Sequence, residues 1–149
     1  MPDVIFPLDS NKPFSDQEKI GHNRWHPEIP PVETLKPGDS FRVDCREWFD
    51  GAIKNDDSAD DVRDAPIDVV HALSGPFAVE GAEPGDLLVV DILDLGPIPQ
   101  ETGPLAGQGW GYTGIFPKNN GGSFLVDQFP DAYKAVWDLS LIHISEPTR

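Results

Sequence analysis

The fold of this chain is predicted most directly from FAVEGAEPGDLLVVDILDLGPI, residues 77–98. Its opening apolar residues predict a strand, Pro84-Gly85 predicts a turn, and residues 87–92 predict a second strand. Both faces of residues 87–90 are apolar, which is typical of a strand in the middle of a sheet. We therefore expect two strands joined by a turn, the second of them buried on both faces.

A similar turn and strand occur earlier in the chain, in KPGDSFRVDC at residues 36–45. Pro37-Gly38 predicts the turn. Apolar and polar side chains then alternate, with Phe41, Val43 and Cys45 on one side and Arg42 and Asp44 on the other. This period of two predicts a half-buried strand, and the two turn-strand pieces form a faint internal repeat.

The other long segments show no strand periodicity. Residues 1–31 contain six prolines and predict an extended arm over a surface, of this subunit or a neighbouring one. Residues 50–68 are polar and acidic and predict a long loop. Residues 127–139 predict a short helix, because their apolar and aromatic side chains recur at helical spacing. With 16 prolines and 14 glycines in addition, the predicted fold class is mainly β with long loops and a short helix.

The chain of 149 residues carries a net charge of −15, from 26 acidic and 11 basic side chains. Because such a field repels a phosphate backbone, we expect no nucleic-acid partner. The charge is compatible with a neutral or cationic small substrate or with a metal ion. It equally serves to keep a protein in solution.

The single cysteine, Cys45, excludes an internal disulfide and fits a reducing compartment. No apolar run approaches the length of a membrane span. The first residues, MPDVIFPLDSNKPF, lack the basic and apolar segments of a secretory signal. We therefore expect a cytoplasmic protein without a membrane partner.

The last residues, 139–149, read LSLIHISEPTR and continue neither the predicted helix nor a strand pattern. They are identical to the translation of a transposase adapter used to build sequencing libraries. We therefore expect this tail to be non-native, the native chain to continue beyond it, and the truncated chain to be inactive. For the same reason His143 and Glu146 are excluded from the candidate site.

Three stretches carry a resemblance to a known family, namely residues 26–64, 74–98 and 114–139. The most specific window within them is GPFAVEGAEPGD, at residues 75–86. On these residues the chain resembles the acetamidase/formamidase family, and within it the formamidase branch. Residues 32–138 are then the incomplete, β-rich first part of the amidase domain.

The resemblance implies hydrolysis of a short-chain amide, most directly of formamide to formate and ammonia. An acetamidase or another short-chain amidase of the family is the alternative, because one methyl group changes binding by only about 1–3 kcal/mol. A non-catalytic β-sandwich binding module is an alternative that the strand pattern alone also permits. The resemblance further implies sandwich and barrel-like β subdomains, a cytoplasmic homo-oligomer and, in some members, a divalent metal ion.

Amide hydrolysis requires an activated water or nucleophile, an electrophile for the carbonyl oxygen and an acid for the departing ammonia. Asp44 and Glu47 are candidate catalytic carboxylates in an acidic cluster that follows the predicted strand. The candidate metal ligands are Asp44, Asp50, Asn55 and Asp57. Alternatively, Asp44 ends a strand and forms an ion pair with Arg46.

The second candidate cluster is aromatic. Trp110, Tyr112 and Phe116 either wall an amide-binding pocket or pack against other side chains. The following turn, KNNGG at residues 118–122, offers backbone N–H groups to a ligand. Lys118 is the cation in this turn that is able to polarise a carbonyl, which makes it the third catalytic candidate.

Other chemically active side chains are given structural roles. Cys45 is expected to be a small core residue, because a nucleophile needs a cation or a helix end to lower its pKa. His71, within VVHAL, is expected to be a core histidine. His22 and His26 have the spacing of helical metal ligands, but the proline-rich arm predicts no helix there. The acidic run at residues 56–61 lacks the glycine and distal glutamate of a calcium loop and is expected to be solvated.

Overall fold

The computed structural model describes residues 2–19, 21–99, 107 and 109–139. The chain forms two compact units: a first unit of Met1–Gly51 with Asp68–Ile92, and a second unit of Ala52–Ile67 with Leu93–Arg149. The strands in the described residues are β1 (Val4–Phe6), β2 (Glu33–Leu35), β3 (Arg42–Val43), β4 (Phe77–Val79), β5 (Trp110–Ile115) and β6 (Tyr133–Asp138). The α-helix in them is α1 (Asp60–Arg63), and 3₁₀ turns lie at Phe14–Asp16 and Ile67–Val69. The prediction of a mainly β fold is confirmed.

Two pairs of parallel strands form the first unit. β1 pairs with β3, which places Phe6 beside Val43, and β2 pairs with β4, which places Leu35 beside Val79. The core of this unit consists of apolar side chains that are almost fully withdrawn from solvent: Phe6, Phe14, Leu35 and Phe49. Burial of these large side chains is the main stabilising contribution in this unit.

Residues 1–31 take part in this core. Phe6 is fully buried, and its ring meets those of Phe14 and Phe77 edge-on at centroid distances of 6.4 and 6.3 Å. The segment has little regular structure, as an extended arm would have. It is nevertheless packed into the first unit, because its aromatic side chains supply part of the apolar interior.

Both proline-glycine turns form as predicted, and they share one hydrogen-bond pattern. The Asp39 N–H donates to the Lys36 carbonyl (3.0 Å), and the Lys36 N–H donates to the Asp39 carboxylate (2.8 Å). Asp86 and Glu83 repeat these two bonds at 3.0 and 2.9 Å. In each turn the glycine has a positive φ, of 90° and 106°, which a residue without a side chain adopts freely. The faint repeat in the sequence is therefore a repeat of turn geometry.

The strand predicted after the first of these turns is reduced to β3. The strand predicted at residues 87–92 does not form, and its apolar side chains are exposed by 63–90%: Leu87, Leu88, Val89, Val90 and Ile92. A central strand requires a hydrogen-bonded neighbour on each edge. None of the sheets in the described part of the chain includes these residues. The prediction of a buried central strand is therefore wrong for this chain by itself.

The second unit contains an antiparallel pair, β5 and β6. Their register runs from Trp110 beside Asp138 to Ile115 beside Tyr133. The helix predicted for residues 127–139 is therefore wrong. The helical spacing of Tyr133, Val136 and Trp137 was misleading, because aromatic and β-branched side chains favour a strand when a partner strand is available.

The loop predicted at residues 50–68 is more ordered than expected. It contains α1, and the second 3₁₀ turn begins within it, at Ile67. Three apolar side chains of this segment are buried in the second unit: Ile53, Val62 and Ala65. The prediction of a loop without helix is wrong, because one turn of helix is too short to show an apolar stripe.

The predicted non-native tail lies outside the described residues from position 140 onward. At its first position, the Leu139 N–H donates to the Gly109 carbonyl (2.9 Å) and extends the β5–β6 pairing by one residue. Within the described ranges, no helix has the length and apolar character needed to cross a membrane.

Candidate functional site

A buried ammonium group is the centre of a polar cluster in the second unit. Lys134 Nζ donates to Asp56 Oδ1 (2.8 Å), to Asp61 Oδ2 (2.8 Å) and to the Lys54 carbonyl (3.0 Å). The Lys134 side chain is 1% exposed. Because an ammonium group has three N–H donors, this site satisfies all of them.

The sequence builds this cluster from two local features. In β6, side chains alternate between exposed and half-buried positions, so that Lys134 and Val136 lie on the same face. At the start of α1, Asp61 accepts further hydrogen bonds from the N–H groups of Lys54 (2.7 Å) and Val62 (2.8 Å). The two ends of the acidic run, Asp56 and Asp61, thus bind a lysine, whereas most of the residues at 56–60 are exposed, as expected of a solvated loop.

The charges of this cluster reinforce one another. Loss of solvent lowers the pKa of Lys134, but hydrogen bonds from the ammonium to Asp56 and Asp61, with their charges, outweigh it and raise the pKa. The same ammonium, together with the Ser58 N–H, lowers the pKa of Asp56. Lys134 is therefore held in its charged form. Sequence reasoning missed it, because only a strand assignment would have placed this lysine on an inward face.

Asp50, predicted as a metal ligand, has a structural set of partners. Its carboxylate accepts the Phe14 N–H at 3.2 and 3.1 Å and Arg46 Nε at 2.8 Å. Arg46 also donates to the Asp50 carbonyl (3.0 Å) and to the Ser10 carbonyl (3.0 Å). The Arg46 side chain is only 10% exposed, so this ion pair is largely shielded from water.

Asp44 and Glu47, the predicted catalytic carboxylates, contact other groups of the first unit. Asp44 follows β3 directly, and Oδ1 lies 3.3 Å from Arg42 Nε. The alternative that Asp44 ends a strand in an ion pair thus has the correct position but the wrong partner, since Arg46 binds Asp50 instead. Glu47 Oε2 accepts the N–H groups at positions 49 (3.0 Å) and 51 (2.9 Å), which shapes the turn after it.

The four predicted metal ligands are divided between the units. Asp44 and Asp50 belong to the first unit, and Asn55, half-buried, and Asp57, exposed, belong to the second. Within the described part of the chain, no three His, Cys, Asp or Glu side chains come together as metal ligands do. The residues in hand do not fit a metal ion, and the proposed site remains a prediction.

The second unit has an open, mainly apolar groove with a volume of about 310 Å³. Its lining residues are Ile115, Phe116, Gly121, Gly122, Ser123, Leu125, Val126 and Phe129. Of the three predicted aromatic walls, Phe116 lies in this groove. Trp110 and Tyr112 stand on one face of β5 with ring centroids 6.3 Å apart, and they do not line it.

The turn at residues 118–122 is held by side chains of its own unit. Lys118 Nζ contacts Asp127 Oδ1 at 2.8 Å, and both side chains are more than half exposed. Asn120 Nδ2 donates to the carbonyls of Arg63 (2.9 Å) and Ala65 (3.0 Å), which attaches the turn to the end of α1. An exposed ion pair contributes little stability, so the Lys118 ammonium is able to exchange its partner.

Two residues expected in the core lie at the surface of the first unit. Cys45 is exposed, and loss of solvent around the thiol and the Asp44 charge raise its pKa, against a hydrogen bond with Ser74. A thiol in this state is a poor nucleophile. His71 is exposed and stacks on Trp48 with ring centroids 5.0 Å apart. The expectation of core positions is wrong for both.

The two histidines of the arm do not form a pair. His22 Nδ1 lies 2.8 Å from the Arg24 carbonyl, and its backbone bridges to Leu73. His26 Nδ1 accepts the Glu28 N–H at 3.2 Å. Their spacing in the sequence does not correspond to a helix, as the prolines indicated.

The sequence profile of the Acetamidase/Formamidase family matches residues 7–147 of this chain. The chain belongs to that family. The resemblance seen in residues 26–64, 74–98 and 114–139 is thereby confirmed, and it extends through both units. The acetamidase of Mycolicibacterium smegmatis is 62% identical over 138 residues, which are 93% of this chain and 34% of that protein.

Two further relatives support the assignment. The formamidase of Methylophilus methylotrophus is 52% identical over 135 residues, covering 91% of this chain and 31% of that protein. The solved structure of the gamma lactamase from Delftia acidovorans superposes with a TM-score of 0.82 at 48% identity, over 91% of this chain and 31% of that one. This chain therefore spans about a third of the length of the relatives that it matches.

Proposed function

We propose that this chain is part of an enzyme that hydrolyses the carbon–nitrogen bond of a short-chain amide to a carboxylate and ammonia. The observation that carries the proposal is the 62% identity to an acetamidase over 138 residues. The resemblance noted in the sequence implied formamide as substrate, with acetamide as the alternative. The acetamidase is more similar to this chain than the formamidase is, so we propose acetamide as the preferred substrate.

The charge and the groove are compatible with such a substrate. A neutral amide is not repelled by a net charge of −15. The groove beside Phe116 has mainly apolar walls, which suit the methyl group of an acyl chain. Because one methyl group discriminates by only about 1–3 kcal/mol, we expect formamide to be a slower substrate rather than an excluded one.

The described residues support some catalytic roles better than others. The raised pKa of Cys45 disfavours a role as nucleophile, and the Glu47 carboxylate accepts hydrogen bonds from two backbone N–H groups. Lys118 is the predicted catalytic residue that we retain, because its exposed partner Asp127 is easily replaced by a substrate carbonyl. Because the family resemblance implies a cytoplasmic homo-oligomer, we propose this location and assembly for the whole protein.

Chimeric enzymes test the proposal on complete proteins. The residues of this chain that match the Mycolicibacterium acetamidase replace their counterparts there, to give the acetamidase chimera. The same exchange in the Methylophilus formamidase gives a matched control. We expect both chimeras to release ammonia from acetamide and formamide, and kcat/KM for acetamide to rise in the formamidase background.

Two results would contradict the proposal. One is a folded acetamidase chimera that releases no ammonia while the parent enzyme is active. The other is a formamidase chimera whose preference between acetamide and formamide equals that of its parent. That result would show that the residues of this chain do not determine a preference for acetamide. A γ-lactam, the substrate class in the name of the Delftia relative, is a third candidate substrate. Its hydrolysis is followed by the ring-opened amino acid, because no ammonia is released.

A further inference from the structure

Residues 87–92 are an apolar segment without a sheet partner in the described structure. Leu87 is 90% exposed and Val89 is 74% exposed, while Val90, which alternates with them, is 69% exposed. The segment follows the Glu83–Asp86 turn, which fixes the direction in which the chain leaves β4. A contiguous apolar run on both faces at the surface indicates an interaction site.

The pattern of this segment restricts what can cover it. Successive side chains of an extended chain point to opposite faces, so Leu87 and Val89 share one face and Leu88 and Val90 share the other. A second copy of this chain that paired edge to edge would supply backbone hydrogen bonds but would leave both faces in water. The occupant must therefore cover two faces as well as the edges.

We propose that residues 87–92 form the strand on which the rest of the amidase chain assembles. The occupant is the part of the protein that the relatives possess outside the matched region. It supplies a neighbouring strand on each edge and apolar side chains on each face. Two observations select this occupant: the chain spans only 34% and 31% of two relatives, and its fold is retained inside a structure about three times as long. The proposal concerns assembly and does not depend on the substrate.

Two-chain reconstitution tests this assembly. This chain is co-expressed with the part of the Mycolicibacterium acetamidase that lies outside the match, as a separate polypeptide. We expect a one-to-one complex on size exclusion. We also expect hydrogen exchange at residues 87–92 to be slowed at least a hundredfold relative to the same residues in this chain alone, because strand amides on both edges are then bonded.

Single charges test each face separately. We expect Val89→Asp and Val90→Asp each to abolish the complex, since they place a carboxylate on opposite buried faces. Phe124→Asp is the control: Phe124 is 98% exposed but lies outside the segment, and this variant should still assemble.

The alternative outcomes are distinct. Absence of a complex, or rapid exchange at residues 87–92 within it, would overturn the proposal. Assembly of only one of the two charged variants would show that one face stays in solvent, which contradicts a central strand. Protection of the segment in a homodimer of this chain would assign it to a second copy instead.

Discussion

We expect the stability of the second unit to depend strongly on the Lys134 side chain. Its ammonium binds Asp56, Asp61 and the Lys54 carbonyl while its side chain is 1% exposed. We expect Lys134→Met in the acetamidase chimera to lower the free energy of unfolding by about 3 kcal/mol, because the largely buried Asp61 carboxylate then loses its cationic partner and keeps only backbone N–H donors. Urea titration measures the loss. The matched change Lys118→Met, at an exposed ion pair, should cost no more than about 0.5 kcal/mol.

Asp56 gives the same cluster a pH dependence. Its folded-state pKa lies below the ordinary 3.8, first because Lys134 donates a hydrogen bond to it. A lowered folded-state pKa contributes stability above the unfolded-state value, and that stability is lost as the pH falls through the folded-state value. Asp56→Asn should therefore lower the melting temperature of the chimera at pH 6, and the difference should shrink below about pH 4. A difference that stays constant between these pH values would show that this carboxylate is not paired.

Substitutions of Asp50 distinguish a structural role of this carboxylate from a role in metal binding. We expect Asp50→Ala to lower the free energy of unfolding by about 2 kcal/mol, because Arg46 and the Phe14 N–H lose their acceptor. Asp50→Asn should cost less, since asparagine also tolerates the positive φ of 57° at this position. In both variants kcat per folded chimera should stay within about threefold of the parent. Loss of activity with unchanged stability would instead favour the predicted metal site.

The pairing of β5 with β6 can be tested at one exposed position, Ala135. Ala135 lies opposite Thr113. Threonine has a higher strand propensity than leucine, whereas leucine has a higher helix propensity than threonine. We therefore expect the Ala135→Thr chimera to be more stable than the Ala135→Leu chimera, by about 0.5 kcal/mol in denaturant titrations. The opposite order would support a helix at residues 133–138.

Local chemistry explains which elements could be predicted from the sequence. The two proline-glycine turns were predictable because each is closed by hydrogen bonds between residues three positions apart. Strand β6 was not predictable from local sequence, because its partner β5 lies about twenty residues earlier, across a glycine-rich segment. Local sequence was also insufficient at residues 87–92. Their apolar pattern predicts a strand, but that strand requires neighbouring strands that the described residues do not contain.

Of the candidate site, the sequence predicted residue types better than their partners. Asp44 and Asp50 form ion pairs with Arg42 and Arg46, and their role as metal ligands stays a prediction. Phe116 lines an apolar groove, and its role as a wall of the amide-binding pocket stays a prediction. Lys134 was missed, because its burial follows from strand pairing and not from its sequence neighbours.

At the level of the whole molecule, the chain spans about a third of the length of its relatives, and the strand predicted at residues 87–92 belongs to none of the sheets in the described residues. Its acetamidase relative is about three times as long. We propose that a counterpart of the relatives' unmatched part covers exposed apolar residues such as Leu87 and Val89. A chain in this condition should have little activity alone, even though its family membership is clear.

The most direct test is acetamide hydrolysis by the reconstituted two-chain complex. This chain and the non-matching part of the Mycolicibacterium acetamidase are assayed separately and together for ammonia release. Our account predicts no release from either part and restored release from the complex. A complex that assembles with residues 87–92 protected, yet neither releases ammonia from acetamide or formamide nor opens the ring of a lactam, would contradict the proposed amidase function.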